Sequence, residues 1–223
     1  MTDLRVYPGV ATVQRATADG GWLPARATRD GSICSIDWRQ LAVMEGKGYI
    51  MQMGDEDAPI NSTVAITDIL VWATVDVPLG TTIIPISAQA AIGVWAATSV
   101  LIDFMIEVDD AKVRRGSGGA AFVPLNLNTG SSNTSACTCY TLTGAGVVAT
   151  AKVAGHSLEL FRASVEVNWG DAGDDFPNLF WTPKVPPTIV GPASLVLHLG
   201  ATTADCQAYG NVQWIELPST AIT

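Results

Sequence analysis

A chain of 223 residues with a formal net charge of −9 lacks the surplus of Lys and Arg through which proteins hold nucleic acid regardless of sequence, so we expect no nucleic-acid partner. Hydrophobic residues make up 48% of the chain and charged residues only 15%, whereas charged residues average about 25% in globular proteins. The length suits one large β-sandwich domain spanning residues 1–223, and the sparse charge predicts that partner subunits cover part of its surface.

The N-terminal sequence "MTDLRVYPGVATVQRATADG" lacks the continuous apolar core of a signal peptide. No apolar segment reaches the ~18–20 residues that a membrane helix needs. We therefore expect a soluble protein, made in the cytosol, with no membrane partner. Residues 1–30 are either an extended arm that reaches a neighbouring subunit or the first strands of the sandwich.

Two segments are the only places where the sequence favours a helical turn. They are "WRQLAVMEGK" at 38–47 and the Ala-rich "ISAQAAIGVWAATS" at 86–99.

The acidic segment "GDEDAPIN", with Asp55, Glu56 and Asp57, offers oxygen ligands, but it lacks the alternate-residue spacing of a calcium loop. A solvated acidic turn is the preferred interpretation there.

The first strong strand pattern is "TDILVWATVDVPLG" at 67–80, where apolar and polar side chains alternate. Pro78 and Gly80 supply the turn chemistry that ends it. The predicted faces are Ile69, Val71, Ala73, Val75 and Val77 on the dry side, and Asp68, Trp72, Thr74 and Asp76 on the other.

The clearest alternation in the chain is "VLIDFMIEVDD" at 100–110. It predicts a strand with one dry face and one mostly wet face, the latter carrying Asp103, Glu107 and Asp109. The basic cluster Lys112–Arg115 follows in "KVRRGSGG". We interpret it as a solvated turn rather than a contact for a polyanion.

The segment "LELFRASVEVNWGDAGDD" at 158–175 changes its apolar parity near residues 161–163, which predicts a bulge or bend in a long strand. Its acidic end, with Asn168, Asp171, Asp174 and Asp175, could hold Ca²⁺, but a solvated acidic turn is preferred.

The segment "NVQWIELP" at 211–218 predicts the closing strand. Weaker strand candidates lie at 33–38, 46–53, 81–92, 120–127, 136–143 and 147–153. Turn clusters separate them, so we predict an all-β fold, an antiparallel β-sandwich of jelly-roll type with about eight to ten strands and little helix.

No residue pattern predicts catalysis, a cofactor or a metal. We therefore assign no catalytic, cofactor-binding or metal-binding residues and expect the protein not to be an enzyme. His156 and His198 are isolated, which opposes both a zinc site and the histidine cluster of a cupin-like enzyme. "GXSXG" is absent. Because His198 alternates with a leucine face, we expect it at the surface or in an interface. The cysteines at 34, 137, 139 and 206 are expected to be free, partly buried thiols.

Seven tryptophans raise the alternative of sugar binding, because sugars stack on flat aromatic faces. They are scattered along the chain, however. Trp169 and Trp214 share the parity of core-facing residues, so we expect these two to be structural. An exposed Trp or Tyr cluster in a groove would favour the alternative.

Two stretches resemble small virion structural proteins of tailed bacteriophages: "VDVPLGTTIIPISAQ" and "LFWTPKVPPTIVGPASLVLHLGATTADCQAYGNVQWIELP". Together they cover about a quarter of the chain, and they are structural patterns without a catalytic signature. The resemblance implies a jelly-roll decoration, cement or minor capsid protein, commonly a homotrimer, located in the virion and bound to the major capsid protein or other virion subunits. A carbohydrate- or receptor-binding module of a phage tail or fibre is the alternative. Pro186 and Pro187 are expected where the chain crosses between sheets.

Overall fold

β-Strands dominate the computed structural model of the protein. The structure describes residues 37–55, 57–63, 65–95, 99–142, 147–168, 177–201 and 206–221. By its internal contacts the chain divides into two compact units, Met1–Leu41 and Ala42–Thr223, and every described strand belongs to the second. No helix in the described ranges is long and apolar enough to cross a membrane.

The helix α1 (Trp38–Met44) lies before the first strand, and a 3-10 turn (Ser219–Ala221) follows the last one. The strands are β1 (Gly48–Met53), β2 (Ile60–Asn61), β3 (Leu70–Val71), β4 (Ala73–Val77), β5 (Thr81–Trp95), β6 (Ser99–Asp109), β7 (Arg115–Gly118), β8 (Ala120–Phe122), β9 (Leu125–Asn126), β10 (Thr138–Thr141), β11 (Val147–Ala149), β12 (Ser157–Asn168), β13 (Asn178–Trp181), β14 (Ile189–Val190), β15 (Ala193–Ala201) and β16 (Cys206–Pro218).

These strands form three sheets whose paired strands are antiparallel. The first sheet has the order β13-β5-β16-β1-β9, with β14 also on β5 and β2 also on β16. The second has the order β12-β6-β15-β4-β10-β8, and a small third one, the outer sheet, has the order β3-β11-β7. The predicted all-β, antiparallel sandwich with little helix is therefore confirmed.

The main core lies between the first and second sheets. On β15, Leu195, Leu197 and Leu199 point into it, as the alternation predicts, and Trp214 of β16 packs from the opposite sheet. Phe104 of β6 makes edge-on contacts in the same core with two further aromatic rings, those of Trp72 and Phe161. Burial of these large apolar surfaces supplies the main stabilisation of the sandwich.

The polar face predicted for β4 is not wet, nor is the part of the β6 face that carries Glu107 and Asp109, whereas Leu101 and Asp103 at the start of β6 are exposed and half-buried as expected. Thr74, Asp76, Glu107 and Asp109 are all buried, because the outer sheet and the segments flanking it cover this side of the second sheet. The faces predicted around β3 and β4 are also wrong at residues 71 and 72. The side chain of Trp72 joins the main core, whereas Val71 belongs to a second, small cluster with Ala149 and Val196.

The helical expectation is confirmed for one segment and wrong for the other. Residues 38–44 form α1, but 86–95 are part of β5, the longest strand. The register of β5 against β16 shifts twice, once at Gly93 and once between Ser87 and Pro85. Glycine and proline both weaken regular strand pairing, so these are the places where a bulge is expected. The bulge predicted in β12 lies between Glu159 and Phe161, at the edge of the expected position.

The chain crosses between the sheets at Gly191 and Pro192, not at Pro186 and Pro187 as expected. The latter pair precedes β14, which still belongs to the first sheet, and β15 begins the second-sheet segment directly after Pro192. The peptide bond between Gly191 and Pro192 is cis. The backbones are so close here that a Cβ added to Gly191 would lie 2.0 Å from the carbonyl oxygen of Pro78.

Replacing Gly191 by alanine is expected to destabilise the protein by about 1–3 kcal/mol or more, because the backbone of Pro78 cannot yield as a flexible side chain would. Gly130→Ala is the matched control, since its new Cβ would meet only Asn128 Oδ1, at an ordinary 3.5 Å. We expect the control to change the free energy of unfolding by no more than about 0.5 kcal/mol. Urea denaturation of both variants checks this, and equal losses of stability would contradict it.

Candidate functional site

A buried group of ionisable and polar side chains lies on the outer face of the second sheet. We call it the Arg114 cluster, and its members are Asp76, Glu107, Asp109, Arg114, Ser194 and His198. The side chain of Arg114 has an exposed fraction of 0% and that of Glu107 only 3%. Charges almost never lose this much contact with water unless they are paired, so the cluster is the foremost candidate site.

Strand alternation brings the cluster together. Glu107 and Asp109 are two residues apart on β6, so both side chains leave the same face of the sheet. On β15, Ser194 lies opposite Asp109 on one side and opposite Asp76 of β4 on the other. His198, four residues further along β15, shares that face. Three central strands thus supply all members except Arg114, which comes from the segment after β6.

The guanidinium of Arg114 donates hydrogen bonds to three parts of the chain. Its Nη1 donates to Glu107 Oε1 at 2.9 Å, its Nε donates to the carbonyl oxygen of Thr150 at 2.8 Å, and its Nη2 donates to the carbonyl oxygen of Asp68. Asp109 Oδ2 lies 3.8 Å from Nε, close enough for charge attraction but too far for a hydrogen bond. The side chain is therefore fixed on every side.

The backbone of Arg114 is held as firmly as its side chain. Its N–H donates to Ser194 Oγ at 2.7 Å, and the hydroxyl of Ser194 donates in turn to Asp76. The carbonyl oxygen of Arg114 accepts hydrogen bonds from the N–H and the hydroxyl of Thr150, at 2.6 and 3.2 Å. This places the start of β7 beside the end of β11.

Glu107 is the acceptor shared by Arg114 and His198 of the cluster and by two residues beside it. Oε1 also lies 3.2 Å from His198 Nε2, Oε2 accepts from the hydroxyl of Ser157 at 3.2 Å, and Lys152 Nζ is 3.7 Å from Oε2. Burial alone would raise the pKa of Glu107, but the hydrogen bonds and charges of His198 and Arg114 lower it to about 2. Glu107 is thus an ionised carboxylate at neutral pH.

The arrangement is suited to holding structure rather than to catalysis. Ser194, His198 and Asp76 do not form a nucleophilic triad, because Ser194 bonds to Asp76 and to the Arg114 backbone whereas His198 Nε2 faces Glu107. Arg114 and Asp109 have no exposed side-chain surface through which a substrate could reach them. The second nitrogen of His198, Nδ1, is buried without a hydrogen-bond partner.

Two sequence expectations are wrong at this cluster. Arg114 is not in a solvated turn, and His198, with an exposed fraction of 1%, is not at the surface; as it lies within this subunit's own packing, it does not face an interface either. One feature of the sequence could have revealed the buried cation. Glu107 and Asp109 lie on one face of β6, whose other residues are mostly apolar, as in a strand at the centre of a sheet. Two carboxylates on one face of such a strand require a nearby cation.

The second histidine, His156, lies at the protein surface. His156 Nδ1 is 2.8 Å from Asp110 Oδ1, and both side chains are more than half exposed. They line a groove of about 480 Å³ between the start of β12 and β14, whose apolar lining includes Leu158, Leu160 and Val190. An exposed pair of this kind contributes little stability.

The remaining site expectations have mixed outcomes. The acidic loop 171–175 and the residues Cys34 and Trp169 lie outside the described residues. Asp55 Oδ1 accepts a 2.6 Å hydrogen bond from the N–H of Ala58, as expected of a turn. In the described part of the chain, no three His, Cys, Asp or Glu side chains are close enough to hold a metal ion.

The described cysteines and tryptophans are largely interior. Cys137, Cys139 and Cys206 are buried thiols, and burial raises the pKa of the first two, which keeps them protonated. Trp214 is buried, as predicted, and the side chains of Trp72 and Trp181 are buried as well. These three rings are therefore not available for stacking on a sugar.

Replacing Arg114 by leucine is expected to destabilise the protein by about 3–5 kcal/mol, because Glu107 and Asp109 would be left as buried charges without their cation. Arg162→Leu is the matched control. Its guanidinium is half exposed and pairs with Glu159 three residues away, a contact worth under about 1 kcal/mol. Urea denaturation at neutral pH separates the two. A loss for R114L no larger than for R162L would show that the buried cation is dispensable.

The chain matches no family model, and neither a curated protein nor a solved structure is similar enough to be matched to it.

Proposed function

We propose that this chain is a non-enzymatic virion structural protein of jelly-roll type, which decorates or stabilises a bacteriophage capsid through subunit contacts. The observation that carries the jelly-roll part of the proposal is the order of eight strands that make up most of the two large sheets. In chain order they are β1, β4, β5, β6, β12, β13, β15 and β16.

Their pairing follows one rule. The first of these strands pairs with the eighth, the second with the seventh, the third with the sixth and the fourth with the fifth. The eighth also pairs with the third, and the seventh with the fourth. This order supports a double-sheet jelly roll, because a long antiparallel hairpin rolled into two sheets would give it.

The stretches that resemble phage virion proteins occupy one place in this fold. Residues 75–89 and 179–218 are far apart in the chain, but Ile83 pairs with Ile189 and Val75 with Leu195. The two stretches therefore lie beside each other in both large sheets, which is consistent with a resemblance that covers paired strands. Jelly rolls also occur in lectins and cupins, so the choice of a virion role rests on this resemblance and on the surface.

The surface supports contacts between subunits. The chain has few charged residues, and the Arg114 cluster removes several of them from the exterior. Large apolar side chains remain exposed on loops and strand ends, among them Leu79 at 82%, Val123 at 76% and Val185 at 85%. Such side chains suit the interior of an interface between subunits, where charged residues are depleted.

Closed symmetry satisfies a self-complementary surface without forming fibres. The resemblance to phage virion proteins implies three copies, so we expect a closed homotrimer. Light scattering coupled to size exclusion, at micromolar concentration, should give three times the monomer mass of 23.4 kDa. A mass of one subunit would contradict the trimer.

The virion role itself is tested with phage particles that lack this protein. The purified protein is expected to bind them saturably, and at the same ratio to the major capsid protein over a range of salt concentrations. Absence of binding at every salt concentration would overturn the proposed function. Retention on host glycans or cells instead of particles would favour a tail or fibre module.

A further inference from the structure

The outer sheet has little hydrophobic attachment to the sandwich. Its strands are short, with two residues in β3, three in β11 and four in β7. The apolar cluster beneath it consists of Val71, Ala149 and Val196, with Tyr140 packed against them. Since apolar burial scales with buried area, this contact is weak beside the main core. Another interaction must hold the outer sheet in place.

That interaction is the side chain of Arg114, which fastens all three strands at one end. Arg114 immediately precedes β7, Thr150 immediately follows β11, and Asp68 lies two residues before β3. The guanidinium donates to the carbonyl oxygens of Thr150 and Asp68, and it donates to the carboxylate of Glu107 on β6. Glu107 is thus the charged group through which the guanidinium ties these strand ends to the sandwich, and the N–H of Arg114 adds a neutral hydrogen bond to Ser194 Oγ on β15.

We propose that the Arg114 cluster is an acid-released latch: protonation of Glu107 frees the outer sheet from the second sheet while the sandwich stays folded. Neutralising Glu107 removes the only carboxylate to which the Arg114 side chain donates a hydrogen bond among the described residues. A buried charge that loses its partner is strongly destabilised, so the guanidinium moves to water together with the strand ends it holds.

The other charged groups around Glu107 do not replace it. They are Asp109 on β6, His198 on β15, Asp76 on β4, Arg114 before β7, Lys152 after β11 and Asp68 before β3. Asp109 is occupied by the N–H groups of Ala111 and Val153 and lies 3.8 Å from the guanidinium. Lys152 adds a second positive charge on the same side, which favours opening once Glu107 is neutral.

The pH window follows from the direction of the Glu107 shift. The pKa is about 2 in the folded protein, below the ordinary value of 4.5. The ionised carboxylate therefore contributes its full stabilisation above about pH 4.5, and this contribution is lost as the pH falls towards 2. Because the pair is buried, salt screens it little, and opening should depend on pH much more than on ionic strength.

Hydrogen exchange of the backbone amides, corrected for intrinsic rates, tests the latch between pH 7 and pH 2. Protection at 115–118 and 147–149 is expected to fall at least about tenfold by pH 3, while protection in β15 and β16 is retained. Loss of protection in the outer sheet and in β15 at the same pH would overturn the proposal, since the sandwich would then unfold as a whole.

Glu107→Gln provides the second test, because it keeps the shape of the side chain and removes its charge. At pH 7 this variant should show the low outer-sheet protection that the unaltered protein shows only in acid. Glu159→Gln is the control, since Glu159 lies on neighbouring β12 in an exposed pair with Arg162. Full outer-sheet protection in E107Q would overturn the proposal. If E107Q does not fold, the pH series on the unaltered protein decides alone.

Discussion

The pairing of β16 with β5 is the constraint on which both large sheets depend. It extends from Cys206 opposite Trp95 to Pro218 opposite Thr81, and the other edge of β16 pairs with β1. The last strand of the chain is thus the centre of the first sheet. Until it is in place, β1 and β5 have no common partner and the main core lacks Trp214. Contacts between such distant residues close slowly, so the sandwich is expected to fold late and as one unit.

Alternation in the sequence predicted the strands on which this core is built. Leu195, Leu197 and Leu199 face inwards because each lies two residues from the next, and the same reasoning placed Trp214 correctly. The alternation did not predict that the polar face of β4 is buried, nor that Glu107 and Asp109 are buried on the outward face of β6. Whether such a face is wet depends on what packs over it, and here the cover is an outer sheet of two- to four-residue strands. Strands this short leave no periodic signal in the sequence.

The Arg114 cluster was missed for a related reason. Arg114 stands in a run of basic residues that is typical of a solvated turn, and only the fold brings it onto Glu107, seven residues earlier, and Ser194, eighty residues later. Buried ion pairs of this kind add little net stability compared with apolar side chains of similar volume, but they are costly to break. The cluster therefore specifies where the outer sheet sits, while the main core supplies the stability of the sandwich.

The sheet edges limit how subunits of the proposed assembly can meet. In the described part of the chain, β12 is the long edge strand of the second sheet, and it carries a bulge at residue 160 and the outward charges of Glu159 and Arg162. On the first sheet, Pro177 lies directly before β13, and the short β14 lies between Pro187 and Pro192. Bulges, charges, prolines and short strands all oppose pairing with a foreign strand. Contacts between subunits are therefore expected to use the exposed apolar side chains of loops, such as Leu79 and Val123, rather than a sheet continued from one copy into the next.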